Sequence, residues 1–202
     1  MNELLDAIRT RGPALSQQVL AIQYRDPFWT QRFGAKGRRH ADEDSGFHLQ
    51  YLVRALVAND PGILVRYARW LREVLATRGM CTRHLAENFR LLAAAIAAEG
   101  WPMAERAIEY LRTAESSLAY ESGPARDVQA ASARVAAAAP AATREELANY
   151  LSYIADALAL GSPRTLIEHV RWKAAHVRPG AADRPEAPVS YTHLTLPTKR
   201  IV

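Results

Sequence analysis

The chain writes one helical pattern twice, and that repetition restricts its architecture more than any other feature. The pattern of residues 44–79, DSGFHLQYLVRALVANDPGILVRYARWLREVLATRG, returns in residues 149–180, NYLSYIADALALGSPRTLIEHVRWKAAHVRPG, which match 47–78 without a gap at a constant offset of 102. The offset pairs Leu49 with Leu151, Tyr51 with Tyr153, Ala55 with Ala157, Leu56 with Leu158, Pro61 with Pro163, Leu64 with Leu166, Arg69 with Arg171 and Trp70 with Trp172. Self-similarity at a fixed spacing implies related structural units. Two such units are expected here.

Within the first copy, apolar residues recur at Leu49, Leu52 and Leu56, and again at Leu64, Tyr67 or Ala68, Leu71, and Val74 or Leu75. This three-and-four spacing belongs to helices that bury one face. Two helices joined near Ala58 to Asp60 are expected. The second begins at Asp60-Pro61, where the carboxylate accepts from free first-turn amides and the proline's missing N–H costs nothing. The second copy places Ser162-Pro163 there.

The same block carries a family resemblance. Asp44, Gly46, Phe47, Leu49 and Tyr51, then the hinge Asn59-Asp60-Pro61 and Ile63-Leu64, resemble the chromophore helix and following turn of the phycobiliproteins. These are globin-like light-harvesting subunits, and the similarity spans residues 34–98. The resemblance implies an all-α, globin-like fold and a linear tetrapyrrole (bilin) as ligand. In that family a cysteine just before the aspartate carries the pigment, while the aspartate accepts hydrogen bonds from pyrrole N–H groups.

This chain departs from the pattern at two positions. Ala41 stands where the chromophore cysteine belongs, and Glu43 where the family places a propionate-binding arginine. A thioether link is thereby excluded, and Glu43 would repel a propionate. Asp44 matches the pyrrole-facing aspartate, with Lys36, Arg38, Arg39 and His40 able to replace the lost positive charge. The chain is therefore more similar to cysteine-free bacterial relatives of the phycobiliproteins and to the non-haem sensor globins.

Along the rest of the chain, Leu4, Leu5 and Ile8 mark a short amphipathic stretch broken at Gly12-Pro13, and Leu15, Val19 and Ile22 a second. Asp26-Pro27 caps a short third helix with Phe28 and Trp29. Gly34 and Gly37 bracket an expected flexible loop, which leads into Asp42, Glu43 and Asp44 at the start of the central helix, where carboxylates suit the dipole. Thr82 is expected to cap a helix burying Leu85, Phe89, Leu92 and Ile96 and ending at Gly100. A further helix over residues 102–120 buries Ala104, Ile108, Leu111 and Leu118.

Residues 121–124, ESGP, form the clearest boundary, dividing a first unit over residues 1–121 from a second over 122–187. An Ala-rich helix runs up to Pro140, and Thr143 and Glu146 supply a capping box for the next one. The second copy lacks helices equivalent to residues 82–120, so a truncated unit with part of its apolar face uncovered is expected, unless the first unit covers it. Residues 188–202, PVSYTHLTLPTKRIV, resemble translated read-through of a sequencing or cloning adapter.

Composition bounds the function. The formal charge is +5, and setting aside Lys199 and Arg200 of the adapter-like tail leaves +3, weak support for a nucleic-acid partner. No run approaches the roughly 18 apolar residues of a membrane span, and the N-terminus lacks a signal pattern, so a cytoplasmic protein is expected. Cys81 is the single cysteine, which excludes an internal disulfide. It has no base placed beside it by motif.

Candidate chemistry is sparse. No phosphate loop, zinc spacing or Ser-His-Asp signature is present, and a non-enzyme is expected. Asp44 reads either as a capping carboxylate or as a pyrrole acceptor. His48 reads as a packing residue or as a haem ligand without a second histidine to complete the site. Lys36, Arg38 and Arg39 read as a solvated loop or as a phosphate or propionate clamp, and Trp70 and Trp172 as packing or cofactor stacking. Three functions follow: a sensory, scaffolding or assembly protein holding a bilin without a covalent bond, a ligand-free helical module that oligomerises through apolar helix faces, or a haem-binding sensor globin.

Overall fold

A computed structural model describes residues 1–177 as eight helices, with no strand among the described residues. They are α1 Asn2–Gln23, α2 Pro27–Ala58, α3 Gly62–Thr77, α4 Thr82–Ala98, α5 Ala104–Ser116, α6 Gly123–Ala138, α7 Ala141–Leu160 and α8 Arg164–Val177. The all-α class is as expected. The adapter-like tail and the last residues of the second copy lie outside the described residues. No helix among the described residues is long and apolar enough to cross a membrane.

Four local expectations need correction, the fourth being the Thr82 cap. First, α1 does not break at Gly12-Pro13 but continues through it to Gln23. A proline inside a helix costs about 3 kcal/mol; here a continuous buried stripe of Leu4, Ile8, Leu15 and Val19 offsets it. Gly12 sits in that stripe where α2 comes close, since a Cβ there would lie 3.1 Å from Leu49 Cδ1.

Second, the flexible loop is absent. Asp26 starts α2 as expected, accepting from the Phe28 amide at 2.9 Å, but the helix then continues to Ala58. Only Gly34 leaves helical geometry, at φ 59° and ψ −164°, a region that glycine alone enters readily. Asp42, Glu43 and Asp44 consequently lie inside a helix rather than at its start. Their partners, not the dipole, account for them: Asp42 accepts from Gln17, Glu43 faces His40 and Asp44 pairs with Arg78.

Third, Thr143 is no cap. The seventh helix begins at Ala141, and the Thr143 hydroxyl donates to the Pro140 carbonyl.

The two helix pairs form where the repeat places them, and their turns match at the offset of 102. Asn59 ends α2 at φ 53°, and Gly161 ends α7 at φ 63°. The Asp60 amide donates to the Ala55 carbonyl at 3.0 Å, and the Ser162 amide to that of Ala157 at 3.2 Å. Asp60 Oδ1 accepts from the Gly62 amide at 2.8 Å, which starts α3 as its sequence implied.

The main buried apolar cluster draws on α1 to α5 and Leu118, with Leu52, Leu64, Phe89, Ile96 and Leu111 at its centre. The fourth helix buries Leu85, Phe89, Leu92 and Ile96 on one face, as their spacing predicts. The second copy joins this body through the corner between α3 and α4. Thr82 does not cap α4; Cys81 occupies the cap position, and the capping group comes from α7. Asp156 accepts from the Thr82 amide at 2.7 Å, the Thr82 hydroxyl at 2.6 Å and the Tyr120 hydroxyl at 2.7 Å. Ser152 accepts from the Arg83 amide at 3.1 Å, the Tyr153 hydroxyl donates to Gly79 O at 2.8 Å, and the Thr165 hydroxyl donates to Ala76 O.

Truncating Asp156 leaves the Thr82 amide and two hydroxyls buried without an acceptor. Asp156→Ala should lower unfolding free energy by about 3 kcal/mol, and Asp156→Asn by less, because an amide keeps one acceptor oxygen. Urea titration followed by circular dichroism measures both. Unchanged midpoints would show that the corner is held by apolar packing instead.

Candidate functional site

The candidates read from the sequence lie along α2 without converging. Arg38, Arg39 and His40 are exposed. The Arg38 guanidinium stands 5.0 Å from the Tyr24 ring centroid, and His40 Nδ1 is 3.4 Å from Glu43 Oε2. Asp44, about one-fifth exposed, is 3.5 Å from Arg78 Nη1. Burial raises its carboxyl above the ordinary range, partly opposed by Arg78 and His40. His40, Asp44 and His48 fall on one stripe at spacings of four.

His48 is buried. Its Nδ1 is 2.7 Å from the Tyr67 hydroxyl and its ring lies 5.4 Å from that of Phe89. The bond to Tyr67 occupies one ring nitrogen and leaves only Nε2 for any metal. Cys81 is fully enclosed, and burial pushes its thiol up to about 12, which removes nucleophilic character near neutral pH. Among the described residues no group of three His, Cys, Asp or Glu side chains could hold a metal ion.

His48 belongs to a quartet of rings that recurs at the repeat offset. Tyr51 stacks on Tyr67 with centroids 4.0 Å apart, and Tyr153 on His169 at 4.2 Å. Tyr67 meets Trp70 at 6.2 Å and His169 meets Trp172 at 5.9 Å, both at 35°. His48 meets Tyr67 edge-on at 5.8 Å, and Tyr150 meets His169 edge-on at 4.8 Å. Histidine and tyrosine have changed places between the copies. The consequence is chemical: His48 has a hydroxyl partner, whereas both nitrogens of His169 are buried without one.

The second quartet faces a group of residues that the sequence reading passed over. Phe28, at the start of α2, touches the rings of His84, His169 and Trp172 at 5.2, 6.1 and 5.6 Å. Around it, Arg32 Nε, His84 Nε2, both nitrogens of His169 and Trp172 Nε1 are buried with no hydrogen-bond partner. Six side-chain atoms among the described residues are in that condition, the sixth being Arg72 Nε, and the other five belong to four residues of one cluster: His84, His169 and Trp172 meet the Phe28 ring, and Arg32 meets Trp172. Native interiors leave few polar atoms unpaired, which marks this junction as unusual. The repeat singles out Trp172, but Arg32, His84 and His169 stand in three separate helices and share no spacing.

The protonation states are constrained. The Cys81 amide donates to His84 Nδ1 at 3.4 Å, so the neutral ring carries its proton on Nε2. Burial, with Arg83, His169 and Arg32 nearby, holds His84 down to about 3. Burial, with Arg32 and Lys173, holds His169 to about 4, and burial alone brings His48 to about 4. A cleft of about 340 Å³ between the α1–α2 turn, α4 and α7 is lined by Phe28, Trp29 and His84 together with Asp26, Glu87 and Asn149.

Compared with protein-family models, curated proteins and solved structures, the chain matches none.

The buried histidines set an acid limit. In the unfolded chain each takes up a proton near its ordinary 6.5, while the folded state resists until about 4 for His48. Stability is therefore complete above about pH 6.5 and falls as the pH drops towards 4, by roughly 3 kcal/mol for His48 alone. His48→Gln should flatten the dependence of the urea midpoint on pH across that window. An unchanged slope would mean that His48 is protonated in the folded protein.

Proposed function

We propose that this chain is a non-catalytic assembly module of the globin-like, phycobiliprotein-like type, built from one helical unit and a second copy of its central helix pair, and that it self-associates through the open face of α7 and α8. The carrying observation is a contrast between residues paired by the repeat. In the first copy Leu56 and Ala68 are 2% and 0% exposed beneath the other helices. Their counterparts Leu158 and Val170 are 49% and 45% exposed, beside Ile167 at 42%. Leu147, Leu151 and Ile154 extend the stripe along α7 and are only partly covered.

A second copy is the occupant that suits this face. Two of the charges at its edges are satisfied internally, Arg164 by Glu168 at 2.9 Å and Lys173 by Glu146 at 3.0 Å. The face therefore selects by shape and apolarity rather than by opposite charge. Two such helix pairs facing one another about a two-fold axis make a four-helix contact with a shared apolar seam.

Light scattering with size separation tests the reading. A concentration-dependent dimer is expected, converted to monomer by Leu158→Glu or Val170→Glu with the helical signal unchanged, since both side chains are already at the surface. A wild-type chain that stays monomeric up to about 1 mM would sink it.

A pigment-holding version of the same module rests on Asp44, which reaches the surface on the His40–Asp44–His48 stripe and so lies within reach of a pyrrole N–H. Mixing the protein with biliverdin should then give a red-shifted, sharpened band that Asp44→Ala weakens. Absence of the band at equimolar pigment removes that version and leaves self-association standing.

A further inference from the structure

We propose that the junction of α2, α4, α7 and α8 is a binding site for a planar, largely apolar molecule bearing a carboxylate, held by Arg32, His84, His169 and Trp172. The donor count points to such a guest. Arg32 Nε–H, Trp172 Nε1–H and His84 Nε2–H are donors without acceptors, and neutral His169 adds one donor and one acceptor. A guest that completes this set brings oxygen acceptors. It also brings negative charge, because Arg32 is only 7% exposed yet forms no ion pair among the described residues. A buried cation without a counter-ion is costly, and a bound carboxylate removes that cost.

The walls define the rest of the guest. The Arg32 guanidinium lies 5.6 Å from the ring centroids of both Phe33 and Trp172. Tyr153 stacks on His169, and Trp29 lies 4.9 Å from His84. These faces are aromatic and flat, and suit a fused-ring body. Access runs through the cleft of about 340 Å³, which His84 and Phe28 line. That volume is within the usual range for small-molecule sites. Phe28 is half-buried and stands between this cleft and the inner nitrogens of His169 and Trp172. The cleft itself does not reach Arg32, His169 or Trp172, and seating the guest against them requires the Phe28 ring to swing aside.

The repeat supplies an internal control. At the corresponding place in the first copy, the histidine is bonded to Tyr67, and the arginine beside the rings, Arg54 at 5.2 Å from the Tyr51 centroid, is exposed to solvent rather than buried. Exchanging histidine and tyrosine without restoring that bond leaves hydrogen-bonding capacity in one quartet only.

Calorimetric titration of the full chain with 2-naphthoate, and separately with 2-naphthalenemethanol, tests the assignment. Naphthoate should bind one molecule per chain and at least about tenfold more tightly than the uncharged alcohol, since a charge-assisted contact is in play. Arg32→Met should remove that preference. Trp172→Phe, which keeps an aromatic ring and loses the indole N–H, should weaken naphthoate severalfold and leave the far-ultraviolet circular dichroism and the urea midpoint unchanged. Equal affinity for acid and alcohol, or no heat with naphthoate up to about 1 mM, overturns the proposal on the unmodified protein and does not depend on the folding of any variant. Full affinity retained in Trp172→Phe overturns the assigned role of the indole.

Discussion

The arrangement of the chain depends on a carboxylate delivered to a helix end from 74 residues away. The α3–α4 corner turns sharply, and its backbone groups would be left without partners once the second copy covers it. Asp156 takes the first amide of α4, Ser152 the next, and Tyr153 serves the Gly79 carbonyl at the turn itself. Each replaces a water that burial removes, and the carboxylate also meets the positive end of the α4 dipole. Burial raises the Asp156 carboxyl while the bonds from Thr82 and Tyr120 favour its charged form. The contact is specific because the seat accepts few other side chains: an apolar one leaves donors unmet, and a longer acid would not fit three donors at 2.6 to 2.7 Å.

Docking by that contact makes the two copies of the pattern chemically unequal. In the first, one face of the helix pair lies under α4 and α5, and its ring quartet closes on itself through His48 and Tyr67. In the second, α7 spends its polar face on the α4 corner, so the ring quartet is pressed against Arg32, Phe28 and His84. The remaining apolar stripe looks outward. Covered apolar surface contributes about 25 cal/mol per Å². That contribution is available to a partner where the stripe is open, whereas in the first copy it is already part of the fold.

Much of this was legible in the sequence wherever a residue's partner lies close in the chain. Asp60 with Gly62, Asp26 with Phe28 and the buried face of α4 needed only local spacing to be read. Misreadings arose where a distant partner decides. Pro13 and the glycines at 34 and 37 are breakers by local rules, yet packing against α2 and α4 carries helix through all but Gly34. Thr82 and Thr143 look like caps, but one is served by Asp156 and the other lies inside its helix. Asp44 stood out through a resemblance and His48 as a lone histidine on the central helix, and the folded chain places partners beside both. The orphan nitrogens gave no sequence signal, since a missing partner is a property of the packed state.

One helix joins the two proposed surfaces. On α8, His169 and Trp172 point into the junction while Ile167 and Val170 point out, at spacings that put them on different sides of the same rod. The helix packs on α7 and α3, reaches α2 through Phe28 and Arg32, and is tied near its start by the Thr165 bond to Ala76. A guest that satisfies the inner nitrogens acts on the same rigid element that presents the outer stripe. Any free energy by which it favours one placement of α8 is felt equally by a partner on the other side, because binding linkage is reciprocal. Local packing at Trp172 and the strength of association at Val170 are in this way two readings of a single helix position.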